Sequence, residues 1–183
     1  MNNLVISTTI ENLLVARNPR GMQALQKALV PGYYLRGAQM LQSAIGTVLI
    51  GTGFPVAGTY ETDGPVGAIA LYQALETLGA KPILVCGAPL ADAIAADYRV
   101  QKISVGKPAV SKVEAQKVLQ QYKPSLVISI ERPGMAADGN YYNMRGEDIS
   151  LACASFDYFL SLFQHFSESG KIFSGNKKLL GVI

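Results

Sequence analysis

Four short apolar runs constrain this chain most: Thr47-Val48-Leu49-Ile50, Ile83-Leu84-Val85-Cys86, Leu126-Val127-Ile128-Ser129-Ile130 and Leu179-Leu180-Gly181-Val182-Ile183. Each is rich in β-branched residues and apolar at consecutive positions, the pattern of a strand covered on both faces, as in a parallel sheet. A weaker run over 100–105 alternates and reads as an edge strand. Helical patterns lie between them over 65–78, 89–97, 111–122 and about 151–167. The first opens on Thr62-Asp63-Gly64-Pro65, a polar cap with proline in the first turn, and closes at Leu78-Gly79, where glycine can take the left-handed stop. The third has Ser111 followed three residues later by Glu114, a capping box, and stops at Lys123-Pro124. Strand, loop and helix alternate, so the expected fold is α/β: a three-layer, Rossmann-like, mostly parallel sheet with helices on both faces.

A single α/β domain over 1–183 is expected, with an N-terminal helical segment over about 1–45 broken at Asn18-Pro19-Arg20-Gly21 and Val30-Pro31-Gly32. A hydrophobic share of 49% against 16% charged residues, with mean hydropathy +0.22, excludes a disordered chain. The ending on Val182-Ile183, inside a strand pattern, reads as a C-terminal truncation.

The net charge of +3 comes from 16 basic against 13 acidic residues, and the basic ones are scattered apart from Lys171, Lys177 and Lys178. That balance gives no nucleic-acid surface. No window approaches the roughly 18 unbroken apolar residues of a membrane span, and the N-terminus lacks the basic start and apolar core of a secretory signal. A cytoplasmic protein without membrane or nucleic-acid partners is expected, and the apolar composition with an unfinished sheet edge points to a homo-oligomer. Cys86 and Cys153 have apolar neighbours and no metal-type spacing, so buried reduced thiols are expected.

In a parallel sheet, ligands bind outside the carboxyl ends of the strands, near the point where the connections change direction. Two polar loops belong there, one over 51–64 and one over 131–150. Gly51-Thr52-Gly53 resembles half of a dinucleotide fingerprint, or simply turns the backbone at the strand end. Thr62 or Asp63 caps the next helix, a role compatible with binding an anion at its free amides. Glu131 and Arg132 follow a buried strand directly, where charges need to be paired or to face a site. Arg145 can hold a carboxylate through two parallel hydrogen bonds, or stand solvated. Asp138-Gly139 is a turn signal, Tyr141-Tyr142 can pin the loop, and Asp148 with Ser150 can cap the last helix. Asp63, Glu131 and Asp138 are candidates for a magnesium ion, although no cofactor is demanded by their spacing. His165, the single histidine, reads as a surface residue, which leaves histidine-based triads without a base.

Gly51-Thr52-Gly53-Phe54, Glu61-Thr62-Asp63-Gly64-Pro65, Glu131-Arg132-Pro133-Gly134, Ala137-Asp138-Gly139 and Tyr141-Tyr142-Asn143-Met144-Arg145 together resemble the D-glutamate cyclase C-terminal-like family over about 10–150. The resemblance implies a cyclising hydro-lyase that converts D-glutamate to 5-oxo-D-proline and water, with a small anionic amino acid as partner. Residue chemistry then suggests roles for that reaction. Arg132 and Arg145 would clamp the two carboxylates, and Glu131 or Asp138 would shuttle protons between amine and leaving oxygen. Thr52, Gly53, Glu61, Thr62, Asp63, Gly64, Gly139, Tyr141, Tyr142 and Asn143 would complete the binding surface. The alternatives are a phosphate- or nucleotide-binding α/β domain with magnesium, and a non-catalytic regulatory fragment.

Overall fold

The computed structural model describes residues 2–17, 21–106, 108–169 and 178–182, and the chain divides into two compact units, Met1–Ser43 and Ala44–Ile183. The first unit is three helices, α1 (Asn3–Val15), α2 (Met22–Gln26) and α3 (Tyr33–Gln42). Along α1 the buried positions are Ser7, Glu11 and Val15, a four-residue spacing that lines one helix face. Glu11 is buried because its carboxylate is saturated: it accepts from Ser7 Oγ at 2.6 Å and from the amides of Gly32 and Tyr34, both at 3.1 Å. It thereby caps α3, whose own N-cap, Gly32, has a left-handed backbone and no side chain to offer. The expected break at Asn18-Pro19-Arg20 lies outside the described residues.

The second unit contains β1 (Thr47–Gly51), a hairpin of β2 (Pro55–Val56) and β3 (Thr59–Tyr60), α4 (Asp63–Thr77) and β4 (Lys81–Cys86). It continues with α5 (Leu90–Ile94), β5 (Val100–Lys102), α6 (Pro108–Tyr122), β6 (Leu126–Ile130), α7 (Asp157–Ser169) and β7 (Lys178–Val182). The large strands form one parallel sheet in the order β5-β4-β1-β6-β7. Val48, Leu49 and Ile50 of central β1 are fully buried, as a strand covered on both faces requires. Leu49, Val85 and Val127 pack with α6 and α7 through Leu119, Phe159 and Phe163. Helix α4 packs on the opposite face, touches β1, β4 and β6, and buries Ala68, Tyr72 and Leu75. The expected three-layer α/β fold is thus observed. Because β4 and β6 flank β1 on opposite sides, the connections reverse direction at β1 and β6, and a crevice opens beyond the ends of those two strands.

Three local expectations fail. Ser111 does not cap α6: the helix begins at Pro108, and Glu114 instead accepts the amide of Ser104 with both oxygens, at 3.2 and 3.1 Å. The second helix is shorter than 89–97, spanning Leu90–Ile94. The last helix starts at Asp157 rather than near Leu151, because the preceding segment is drawn against the loop after β5. Ala154 bridges Val105, and Gly106 donates to the Cys153 carbonyl at 2.8 Å. A Cβ at Gly106, which has φ +66°, would meet the Leu151 carbonyl oxygen at 2.6 Å, so only glycine allows this approach.

Candidate functional site

Beyond Gly51 the chain turns through the β2–β3 hairpin, whose two loop residues, Ala57 and Gly58, both have positive φ. That backbone suits a two-residue turn of the kind that matches strand twist. The hairpin delivers Glu61, whose amide donates to the Phe54 carbonyl at 2.9 Å, and then Asp63 in the first turn of α4. Thr62, the N-cap residue, makes no side-chain capping bond, whereas Asp63 accepts from the Gly64 amide at 3.2 Å. From the neighbouring strand, Glu131 enters with a left-handed backbone, φ 43°, and lies against Gly64. Carboxylate oxygens of Glu61, Asp63 and Glu131 lie within 4.8 Å of one another, and all three residues are exposed. The acids that meet are therefore Glu61, Asp63 and Glu131. Asp138, the third acid of the expected set, has other partners. Three carboxylates so placed suit a divalent cation or an ammonium group.

Arg132 is committed to the framework. Its two terminal nitrogens donate to the carbonyls of Thr52 and Ala154, and its guanidinium carbon lies 5.2 Å from the centre of the Phe156 ring. Desolvation pulls its pKa down, with Cys86, Asp157, Cys153 and Tyr141 pulling the other way. The ion pairs among the described residues are Arg99 with Glu76 and Lys102 with Asp92, so Arg132 has no carboxylate in salt-bridge range. Phe156 itself rests on Gly51, where a Cβ would fall 2.5 Å from the ring. Arg132 thus ties together the loop after β1, the loop after β6 and the segment before α7. Cys86 and Cys153 are free, buried and close enough to feel its charge, and burial pushes each thiol up to about 11.

The loop after β6 is pinned by Asp157, which sequence reasoning missed. Its carboxylate accepts from the Met135 amide at 3.0 Å and from the Tyr141 hydroxyl at 2.6 Å. Tyr141 is buried, and burial followed by this bond to Asp157 raises its pKa. No sequence signal marked Asp157: within the expected helix over about 151–167 it reads as an ordinary interior acid. Asp138 accepts from the Tyr142 hydroxyl at 2.6 Å and the Asn140 amide at 3.0 Å, and the Tyr142 bond first of all holds its carboxyl below the usual range. Gly139 turns the chain here with φ 87°. Asn143 accepts from the amides of Arg145 and Glu147 at 2.9 and 3.1 Å, which folds the tip of the loop. Arg145 stands exposed on that tip, and its side chain makes no hydrogen bond or ion pair with the described residues. His165 lies in α7, and its side chain is outside the described residues.

Thr52, Gly53, Thr59, Tyr60, Cys86 and Gly87 help line a cleft of about 30 Å³, and Tyr60 directly precedes Glu61 in the chain. A cleft in the helical unit, around Thr8, Glu11 and Tyr33, has its buried carboxylate already saturated by backbone and serine donors. No helix among the described residues is long and apolar enough to cross a membrane.

Comparison with known proteins shows the family of the chain. Human mitochondrial D-glutamate cyclase is 30% identical over 142 residues, covering 64% of this chain and 23% of that protein. The chain thus spans about a quarter of that relative's length. The model of the family described as D-glutamate cyclase-like, C-terminal, matches residues 10–174. The chain belongs to the D-glutamate cyclase-like C-terminal family.

Proposed function

We propose that this chain carries the site of a D-glutamate cyclase-like hydro-lyase, which converts D-glutamate to 5-oxo-D-proline and water. One observation carries the reading: carboxylates from the two loops at the sheet's switch point, Glu61 and Asp63 from one and Glu131 from the other, converge within 4.8 Å. In the reaction the α-nitrogen attacks the γ-carboxyl carbon, an amide bond forms, and one carboxyl oxygen departs as water with two protons taken from the nitrogen. The substrate's ammonium group sits against the three carboxylates. Glu131 accepts its proton and returns it to the departing oxygen. Asp138 suits that task less, because the Tyr142 hydrogen bond favours its ionised form. Arg145, whose guanidinium has no partner among the described residues, pairs with the γ-carboxylate and makes it a better electrophile. Holding nitrogen and carboxyl carbon face to face contributes up to about 7 to 11 kcal/mol of the barrier. The test is incubation of the purified chain with D-glutamate and analysis by chiral chromatography. Appearance of 5-oxo-D-proline above the uncatalysed rate supports the reading, and D-glutamate left unchanged removes it.

The same three carboxylates favour a second reading, a divalent cation bridging to the phosphates of a bound nucleotide. Magnesium with a nucleotide would then raise the melting temperature at millimolar ligand, whereas 5-oxo-D-proline would not.

A further inference from the structure

Among the described residues, two buried side-chain polar atoms lack a hydrogen-bond partner: Thr52 Oγ1 and Arg132 Nε. Their coincidence is informative, because the two residues touch: a terminal nitrogen of Arg132 donates to the carbonyl of Thr52. Buried polar groups in folded proteins are nearly always satisfied, so an unpaired donor at a cleft calls for an acceptor from outside the chain. Thr52 is only 1% exposed and lines the cleft formed with Gly53, Thr59, Tyr60, Cys86 and Gly87.

The wall shows what that acceptor is. Among the described residues, none of the lining side chains carries a charge, and Cys86 keeps its proton at neutral pH. The Arg132 guanidinium is bound to the wall through the carbonyls of Thr52 and Ala154, both of which line the cleft, and has no carboxylate in salt-bridge range among the described residues. A site with an unpaired hydroxyl donor, no anionic group and a positive charge at its back selects an anion. Its size narrows the choice. The cavity volume is about 30 Å³, on the scale of a carboxylate group.

We propose that the cleft beside Thr52 is the subsite for a compact carboxylate, the α-carboxylate of the amino-acid substrate, which receives a hydrogen bond from Thr52 Oγ1. The assignment rests on the cyclase reading. It would supply the carboxylate contact of a free α-amino acid, beside the ammonium contact assigned to Glu61, Asp63 and Glu131 under the cyclase reading.

The test uses Thr52→Val and Thr52→Ser in the full chain. Valine removes a hydroxyl that has no partner among the described residues, so the melting temperature is expected to hold. By isothermal titration, wild type and Thr52→Ser bind 5-oxo-D-proline. Thr52→Val binds it at least ten-fold more weakly, and its affinity for 2-pyrrolidinone, the same ring without the carboxylate, matches that of wild type. Equal affinity of wild type and Thr52→Val for 5-oxo-D-proline overturns the subsite. So does an absence of binding by 5-oxo-D-proline, acetate and glycolate alike. D-Glutamate turnover, measured alongside, separates the two ideas. Turnover with a KM unchanged in Thr52→Val rejects the subsite and leaves the cyclase reading. No turnover, with small-carboxylate binding that depends on Thr52, rejects the cyclase reading and leaves the subsite.

Discussion

Gly64 and Glu131 are matched to each other: a Cβ at position 64 would lie 2.8 Å from the Glu131 Cβ and 3.1 Å from one of its carboxylate oxygens. Helix α4 begins with a glycine in its first turn so that an acid from the neighbouring strand's loop can reach Asp63. Gly64 has an ordinary helical backbone, so alanine is compatible with the helix and conflicts only with Glu131. Gly64→Ala is therefore expected to displace Glu131, lowering D-glutamate turnover at least ten-fold while costing about 1 to 3 kcal/mol of stability. Parallel turnover assays and urea unfolding check this; full activity in Gly64→Ala would show that Glu131 has no part in the reaction.

Gly51 holds the other side of the rim. Phe156 lies on it with ring atoms 2.5 to 2.6 Å from an added Cβ, and a packed ring cannot swing aside as a flexible chain end would. Gly51→Ala is expected to destabilise the chain by about 1 to 3 kcal/mol and to move Phe156 from under Arg132. Urea unfolding gives the first quantity, and the near-ultraviolet or NMR signals of the ring report the second.

Arg132→Lys tests the framework role. A lysine cannot reach the Thr52 and Ala154 carbonyls with a planar fork, so one carbonyl loses its donor, at a cost of about 1 to 3 kcal/mol. Reduced stability with a lysine that keeps the charge separates geometry from electrostatics. Unchanged stability would mean that the charge alone suffices.

The mostly parallel α/β sheet was legible, because the apolar runs of β1, β4 and β6 are buried on both faces and leave little alternative to it. What was not legible depended on single backbone conformations. The left-handed φ of Glu131 turns its side chain toward Gly64 and makes Glu61, rather than Asp138, the third acid of the cluster, and glutamate carries no signal for that backbone. The segment before α7 looked helical from its apolar residues, yet it keeps only a 3-10 turn, Ser150–Ala152, before Cys153 and Ala154 bond to the loop after β5. The Ala154 carbonyl that occupies Arg132 follows from that path. Asp157 was hidden for a similar reason: its partners Met135 and Tyr141 lie in a loop without periodicity.

Stability should fall in alkaline solution with a slope that the thiols contribute. The ordinary thiol value is 9.0, and burial holds Cys86 and Cys153 up to about 11. Between pH 9 and 11 the unfolded chain releases protons that the folded chain retains, so the stabilisation present below pH 9 is lost as pH rises. Urea midpoints at pH 8, 9, 10 and 11 should decline, and less steeply in Cys86→Ala than in the parent. Identical slopes would show that Cys86 is not protected from ionisation.

The measurement closest to the centre of the account is an NMR titration of the nitrogen-labelled chain with 5-oxo-D-proline. If the loops after β1 and β6 form one amino-acid site, amide shifts will move together, with a single saturation curve, at Thr52, Gly53 and Gly64 and at Glu131 and Arg132. Shifts confined to one loop, or two curves with different midpoints, would contradict a shared site.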